Sequence, residues 1–165
     1  LNLFDLKECI EQTRGLIKDA FKNNFIEIIL DTRSCTIKDN KNTFIQSLLN
    51  LFNNTKDAMV LNNTPTDNRY LFITMKTVKD NVTISFKDSG GGISTEVMDK
   101  IFEPYFTTKH QSQGKGLGLY LTHKLIKDTL QGYITSKNVY FIYHEKEYKG
   151  LETVITLPLT DNTNQ

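Results

Sequence analysis

Apolar residues recur along this chain with two periods, and those periods divide it into elements. After Asp5, a residue type suited to capping a helix, Leu6, Ile10, Leu16, Ile17 and Phe21 follow at helical spacing. The run FIEIIL is short and rich in β-formers, and reads as a strand ending near Asp31. Residues 31–42 are polar and read as a loop. A second helix is expected over TFIQSLLNLFNNTKDAMVLNN, with the apolar stripe Phe44, Ile45, Leu48, Leu49, Phe52 and Met59, and TPTDN breaks it. Two alternating runs joined near Lys79 to Asn81 predict a hairpin, whose second strand stops at Gly90, Gly91 and Gly92. STEVMDKIF predicts a short helix capped by Ser94 or Thr95. A polar loop, EPYFTTKHQSQGKG, leads into a third long helix, LGLYLTHKLIKDTL. GYITSK, VYFIYHE and ETVITLPL read as closing strands, and residues 161–165 as a disordered tail. The order predicts one α/β domain over residues 1–160, a two-layer sandwich with a sheet on one side and helices on the other.

Composition narrows the partners. The 165 residues carry a formal net charge of +1, so no global field draws nucleic acid or anionic lipid, and neither nucleic acid nor direct membrane contact is expected. Any anion must be held by local geometry. Cys9 and Cys35 lack metal-ligand spacing and read as reduced thiols. No apolar run approaches the roughly 20 residues of a membrane span, and LNLFDLKECIEQ turns polar too soon for a signal peptide.

Three places hold polar or glycine-rich residues that a plain core element would not select. Asn50 and Asn54 share one face of the second helix, and an amide oxygen suits a hard cation such as Mg²⁺. Asp88 ends a strand just before Gly90 and Gly92, where a carboxylate can accept from an exocyclic amine while the glycines let a flat ring approach the backbone. Gly114, Gly116 and Gly118 open a helix, near Lys109 and Lys115, and N–H groups at such a start can hold phosphate. Each also reads without a ligand: as surface asparagines, as a bare turn, and as a glycine-capped loop.

Taken in order, the three resemble the boxes of the Bergerat-type ATP-binding fold, shared by sensor histidine kinases, gyrase-type topoisomerases, mismatch-repair ATPases and large chaperone ATPases. LLNLFNNTKDA is similar to the asparagine box, DSGGGI to the first glycine box, IFEPYFTTK to the phenylalanine box and GKGLGLYLTHKLI to the second glycine box. FEPYFTTK closely followed by GKGLGL is specific to the kinases. The chain therefore resembles the catalytic and ATP-binding domain of a bacterial sensor histidine kinase over nearly its whole length. The resemblance implies a mixed, mostly antiparallel sheet covered on one side by three helices. It also implies ATP and Mg²⁺ as cofactors, and transfer of the γ-phosphoryl group to a histidine for relay to a response regulator.

By motif position, the resemblance makes Asn54 the Mg²⁺ ligand, with Asn50 supporting it one turn earlier. The gyrase-type branch has a water-activating glutamate where Asn50 stands; an amide is no general base, which favours transfer to protein over hydrolysis. Asp88 is implied to bind the adenine amine, with Gly90, Gly92 and Ile93 lining the base pocket. Phe102 and Phe106 would anchor a lid, and Thr107, Thr108 and Lys109 would lie near the phosphates. Gly114, Lys115, Gly116, Leu117, Gly118 and Leu119 would close over the triphosphate. The lid, about residues 107–116, is expected to be mobile without nucleotide.

Some positions depart from the pattern. Thr55 follows Asn54 where alanine is usual. Asp57 and Ala58 stand where many kinases place a basic and an aromatic residue beside the nucleotide. That form resembles the short-lid, nitrogen-regulation-like subgroup, and leaves Lys56 or Lys109 as the phosphate-side cation. None of His110, His123 or His144 has the family's acceptor context. The acceptor is thus expected on a separate histidine-bearing dimerisation domain of the full-length protein. The resemblance places the domain in the cytoplasm, either free or as the cytosolic part of an inner-membrane sensor. A serine kinase of the anti-sigma type and a non-catalytic nucleotide-sensing module are the alternatives on this fold. The long hairpin around residues 139–150 has no role in this reading.

Overall fold

The computed structural model describes residues 1–104 and 119–159. The chain opens with β1 (Asn2–Asp5) and turns into α1 (Leu6–Asn23) at Asp5. The Asp5 carboxylate accepts the Lys7 N–H at 3.1 Å and the Cys35 N–H at 2.9 Å, so one side chain caps the helix and ties down a distant loop. Leu6, Cys9, Ile10, Ile17 and Phe21 form the buried stripe of α1. Leu16, expected in that stripe, faces solvent at 71% exposure, because it lies one position off the helical repeat of the others.

β2 (Glu27–Asp31) and β3 (Thr36–Asp39) follow. The region of β3 was expected to be loop. Its four residues carry too little alternation to reveal a strand, and their extended form is set by antiparallel pairing with β1, where Phe4 faces Ile37. α2 (Lys41–Leu61) begins at Asn40, whose side chain accepts the Thr43 N–H, and buries Phe44, Leu48, Leu51, Phe52 and Met59. A turn of 3₁₀ helix (Thr66–Asn68) leads to the hairpin of β4 (Tyr70–Val78) and β5 (Asn81–Asp88), closed by a tight turn with Lys79 at φ 55°.

The short helix α3 covers only Thr95–Met98, less than STEVMDKIF suggested, and Ser94 is its cap through the Val97 N–H. The third long helix is also shorter. Its described part, α4 (Tyr120–Lys124), runs on as a π-helical turn over Leu125–Thr129. The three expected closing strands are two. GYITSK and VYFIYHE form one continuous β6 (Tyr133–Tyr143), paired along its length with β7 (Lys146–Pro158), because the partner strand satisfies the polar Lys137–Asn138 step.

β1 and β3 form a small ribbon, and the main sheet has the order β2-β4-β5-β7-β6. Only the β2–β4 pair is parallel, so the sheet is mixed and mostly antiparallel. Alternation turns Leu71, Ile73 and Met75 of β4 and Val82, Ile84 and Phe86 of β5 toward the helices, where all six are buried. The Phe52 ring joins the layers, meeting Phe86 at 5.5 Å and Phe21 at 5.7 Å, both edge to face.

On the opposite face, the β6–β7 hairpin runs past the end of β5, whose pairing stops at Lys87 and Glu152. This arm turns at His144 and Glu145, both at positive φ. It returns over the sheet, placing Tyr143 at 4.9 Å from Phe72 and 5.0 Å from Tyr70, with Tyr148 at 5.6 Å from Tyr70. The Lys87 ammonium lies 4.4 Å from the Phe141 ring centre.

Candidate functional site

The C-terminal half of α2 forms one wall of a pocket. Asn54, Ala58 and Asn62 recur every fourth residue, so they stack along one helix face and line the cavity together. Facing them are Asp88 at the end of β5, Gly90, Gly92 and Ile93 in the turn beyond it, and Leu119 at the start of α4. Leu51, Phe86 and Leu151 make the floor apolar, and Thr153 adds a hydroxyl that bonds Ser136 at 2.8 Å.

Asp88 is the chemical centre of this pocket. Its side chain is buried, and Oδ1 accepts two backbone N–H groups, from Gly90 at 2.9 Å and Leu151 at 3.1 Å. Among the described residues no hydrogen bond reaches Oδ2, which leaves that oxygen as an acceptor for a ligand. Burial pushes the carboxyl up to about 6, against the pull of the two N–H donors. It is therefore mostly ionised near neutral pH.

The glycines allow the approach. Gly90 has the Asp88 carboxylate 3.3 Å from where a β-carbon would stand, and its carbonyl accepts from Asn62 Nδ2 at 3.2 Å. Gly92 takes φ +76°, a conformation that favours glycine. A β-carbon on Gly150 of β7 would overlap the Asp88 carbonyl, so glycine there lets β7 lie close against the backbone of Asp88.

Of the expected site residues, Asn54, Asp88, Gly90, Gly92, Ile93 and Leu119 come together in the pocket. Asn50 stands one turn back on α2. Its Oδ1 accepts from Gln46 Nε2 at 3.1 Å, while its Nδ2 is buried and without a partner among the described residues. Asp57 lies at 3.8 Å from the Lys56 ammonium. Phe102 packs with its ring 5.6 Å from that of His123, outside the pocket lining. Phe106, Thr107, Thr108, Lys109, Gly114, Lys115, Gly116, Leu117 and Gly118 lie outside the described residues, as does the expected lid.

Sequence reasoning missed Asn62 and Asn138. The first had a signal, since the positions 50, 54, 58 and 62 share one helix face. The second did not: Asn138 reaches the glycine turn only because β6 pairs with β7. Among the described residues no cluster of three or more acidic, histidine or cysteine side chains could hold a metal. The amide oxygen of Asn54 nonetheless suits Mg²⁺, which takes few protein oxygens when phosphates supply the rest.

The five-stranded sheet under a helix layer thus carries a buried aspartate that faces an asparagine stripe. The chain belongs to the histidine kinase-, DNA gyrase B- and HSP90-like ATPase family, whose model matches residues 24–161. It is 29% identical over 160 residues to the two-component sensor PprA of Pseudomonas aeruginosa, covering 94% of this chain and 16% of that protein. It is 32% identical over 125 residues to sporulation kinase E of Bacillus subtilis, covering 75% of this chain and 15% of that one. The chain thus spans a small part of the curated relatives it matches. Among solved structures it superposes on the nucleotide-free catalytic domain of histidine kinase ThkA with a TM-score of 0.77 at 27% identity, covering 96% of this chain and 95% of that one. ThkA has also been solved in complex with the response regulator protein TrrA; the match to that chain has a TM-score of 0.73 at 25% identity and covers 96% of this chain and 42% of that one. No helix among the described residues is long and apolar enough to cross a membrane.

Proposed function

We propose that this chain is the Mg²⁺-ATP-binding catalytic domain of a two-component sensor histidine kinase. The observation that carries the reading is Asp88, a buried carboxylate with one oxygen satisfied by the backbone and the other left for a donor. The adenine amino group is such a donor, and Gly90 and Gly92 give a flat base access to the backbone. Residues 1–160 act as one catalytic unit in this reading, on the cytosolic side of whatever larger protein carries it.

Asn54 would hold Mg²⁺ through its amide oxygen, and the ion supplies charge neutralisation for the triphosphate. The remaining work falls to this chain's own groups. Asp88 orients the base, and Asn50 supports Asn54 from one turn earlier on α2. Transfer breaks the bond from the γ-phosphorus to the bridging oxygen, which leaves on ADP. It forms a phosphorus–nitrogen bond to an imidazole on the histidine-bearing dimerisation domain, whose proton goes to solvent. That phosphoryl group would pass on to a response regulator, the class of partner with which ThkA was solved. No carboxylate stands at position 50 to activate water, which favours transfer over hydrolysis.

Calorimetric titration with a non-hydrolysable ATP analogue tests the binding step. Affinity should depend on Mg²⁺ and should drop tenfold or more in Asp88→Ala, as roughly 1.5–3 kcal/mol of charge-assisted hydrogen bonding is lost. Binding that is unchanged in that variant overturns the reading. Incubation with labelled ATP and a histidine-bearing hairpin domain tests transfer, through the appearance of phosphohistidine.

A further inference from the structure

The turn that carries Gly90, Gly92 and Ile93 is held largely from outside itself. The Gly91 N–H donates to the Lys149 carbonyl at 2.9 Å. At Ile93 both backbone groups are taken by one side chain: the Ile93 N–H donates to Asn138 Oδ1 at 2.9 Å, and Asn138 Nδ2 donates to the Ile93 carbonyl at 2.7 Å. Lys149 and Asn138 sit on opposite strands of the β6–β7 arm, and Asn138 pairs with Leu151, whose N–H reaches Asp88. The arm itself is fastened twice more, by Tyr143 and Tyr148 against Tyr70, and by the Lys146 ammonium donating to Asn68 Oδ1 at 2.6 Å.

A primary amide suits this position for a definite reason. It alone among side chains of its length offers an acceptor and a donor side by side, matching the N–H and C=O of a single extended residue. Gly92 is fitted to it as well, since a β-carbon there would stand 2.5 Å from Asn138 Oδ1. The two contacts are 45 residues apart in sequence, so they fix the glycine turn to the arm and not to its own neighbours.

We propose that Asn138 is a positioning residue for the nucleotide: by clamping Ile93 it presets the glycine turn against which the base packs, and so makes the long β6–β7 arm part of the binding site. The proposal rests on the assignment of this pocket to ATP. A preset turn loses less freedom on binding, so the clamp acts on affinity. The chemistry of transfer lies at the other end of the nucleotide, so the turnover rate at saturation stays as it was.

The test uses Asn138→Ala and Asn138→Asp. The aspartate is near-isosteric and keeps the acceptor for the Ile93 N–H, but sets an oxygen against the Ile93 carbonyl. Both variants should weaken binding of an ATP analogue by about three- to tenfold, the range expected for one or two hydrogen bonds. KM for ATP in phosphotransfer should rise by a similar factor with kcat unchanged, and amide exchange at Ile93 should quicken in the absence of nucleotide. If Asn138→Ala fails to fold, Asn138→Asp carries the test alone. Unchanged affinity and KM in Asn138→Asp, with Asp88→Ala still losing binding, overturns the clamp and leaves the ATP assignment standing. Absence of ATP binding by the unaltered chain overturns the assignment and the clamp with it.

Discussion

Asp88 Oδ1 accepts the Leu151 N–H at 3.1 Å, so the carboxylate that faces the pocket also closes the sheet at the point where β5 ends and β7 continues. One residue thus serves fold and site, and the two roles respond differently to charge.

Stability should show this first. Burial raises the Asp88 carboxyl from its ordinary 3.8 to about 6, so the folded chain holds that proton more tightly than the unfolded one. Stability from this group is therefore present below its unfolded value and is lost as pH rises through about 6. The loss is on the order of 2–3 kcal/mol, at 1.36 kcal/mol per unit. Asp88→Asn keeps the acceptor at Oδ1 and removes the charge. Its Tm at neutral pH should exceed that of the unaltered chain, and the two should converge toward pH 4. Thermal melts across that range check it.

Nucleotide affinity should move the other way. Protonated Asp88 offers a weaker acceptor to an amine, so the advantage of the unaltered chain over Asp88→Asn should be largest at neutral pH and shrink as pH falls below about 6. Taking the ratio of the two Kd values removes the titration of the nucleotide itself. A ratio constant from neutral to acidic pH would contradict the role given to the carboxylate.

Asn54→Ala removes the one amide oxygen in the pocket wall proposed for Mg²⁺. Binding of an ATP analogue measured with and without Mg²⁺ should then give nearly equal affinities, while the base still binds through Asp88. Retained Mg²⁺ enhancement in this variant would place the ion elsewhere.

Phe52 is fully buried and bridges Phe21 and Phe86. Phe52→Ala should cost about 3–5 kcal/mol, because three elements lose a shared ring and cannot all close on the gap. Chemical denaturation measures it.

Tyr143→Ala strips the arm of its edge-to-face contacts with Tyr70 and Phe72. Each aromatic pair contributes roughly 0.5–1.5 kcal/mol beyond burial. The arm should loosen before the core does. Amide exchange at Gly91, whose N–H is held by the Lys149 carbonyl, should accelerate more than exchange at the core strand residue Ile84.

Much was legible from local pattern. The stripes of α1 and α2 follow from helical spacing, because a helix with one apolar face has one way to bury it. The β4–β5 hairpin follows from alternation on either side of a tight turn. That Asn54, Asp88 and the glycine turn would meet in one pocket was implied by the resemblance to the Bergerat-type boxes, since each place taken alone also read without a ligand. By itself the sequence determined the helices α1 and α2, the β4–β5 hairpin, and the residue types at Asn54, Asp88 and the glycine turn.

Tertiary structure decided what depends on a partner far along the chain. β3 is a strand because β1 lies beside it, and β6 crosses its polar step because β7 supplies its hydrogen bonds. The arm lies over Tyr70 and Phe72 because their solvent-side register leaves aromatic surface to cover. Asn138 fell in the gap between two expected strands, and only the pairing of β6 with β7 carried it to Ile93. Local periodicity reports which face of an element is apolar. It does not report which backbone groups meet across dozens of residues, and those meetings set the shape of the pocket.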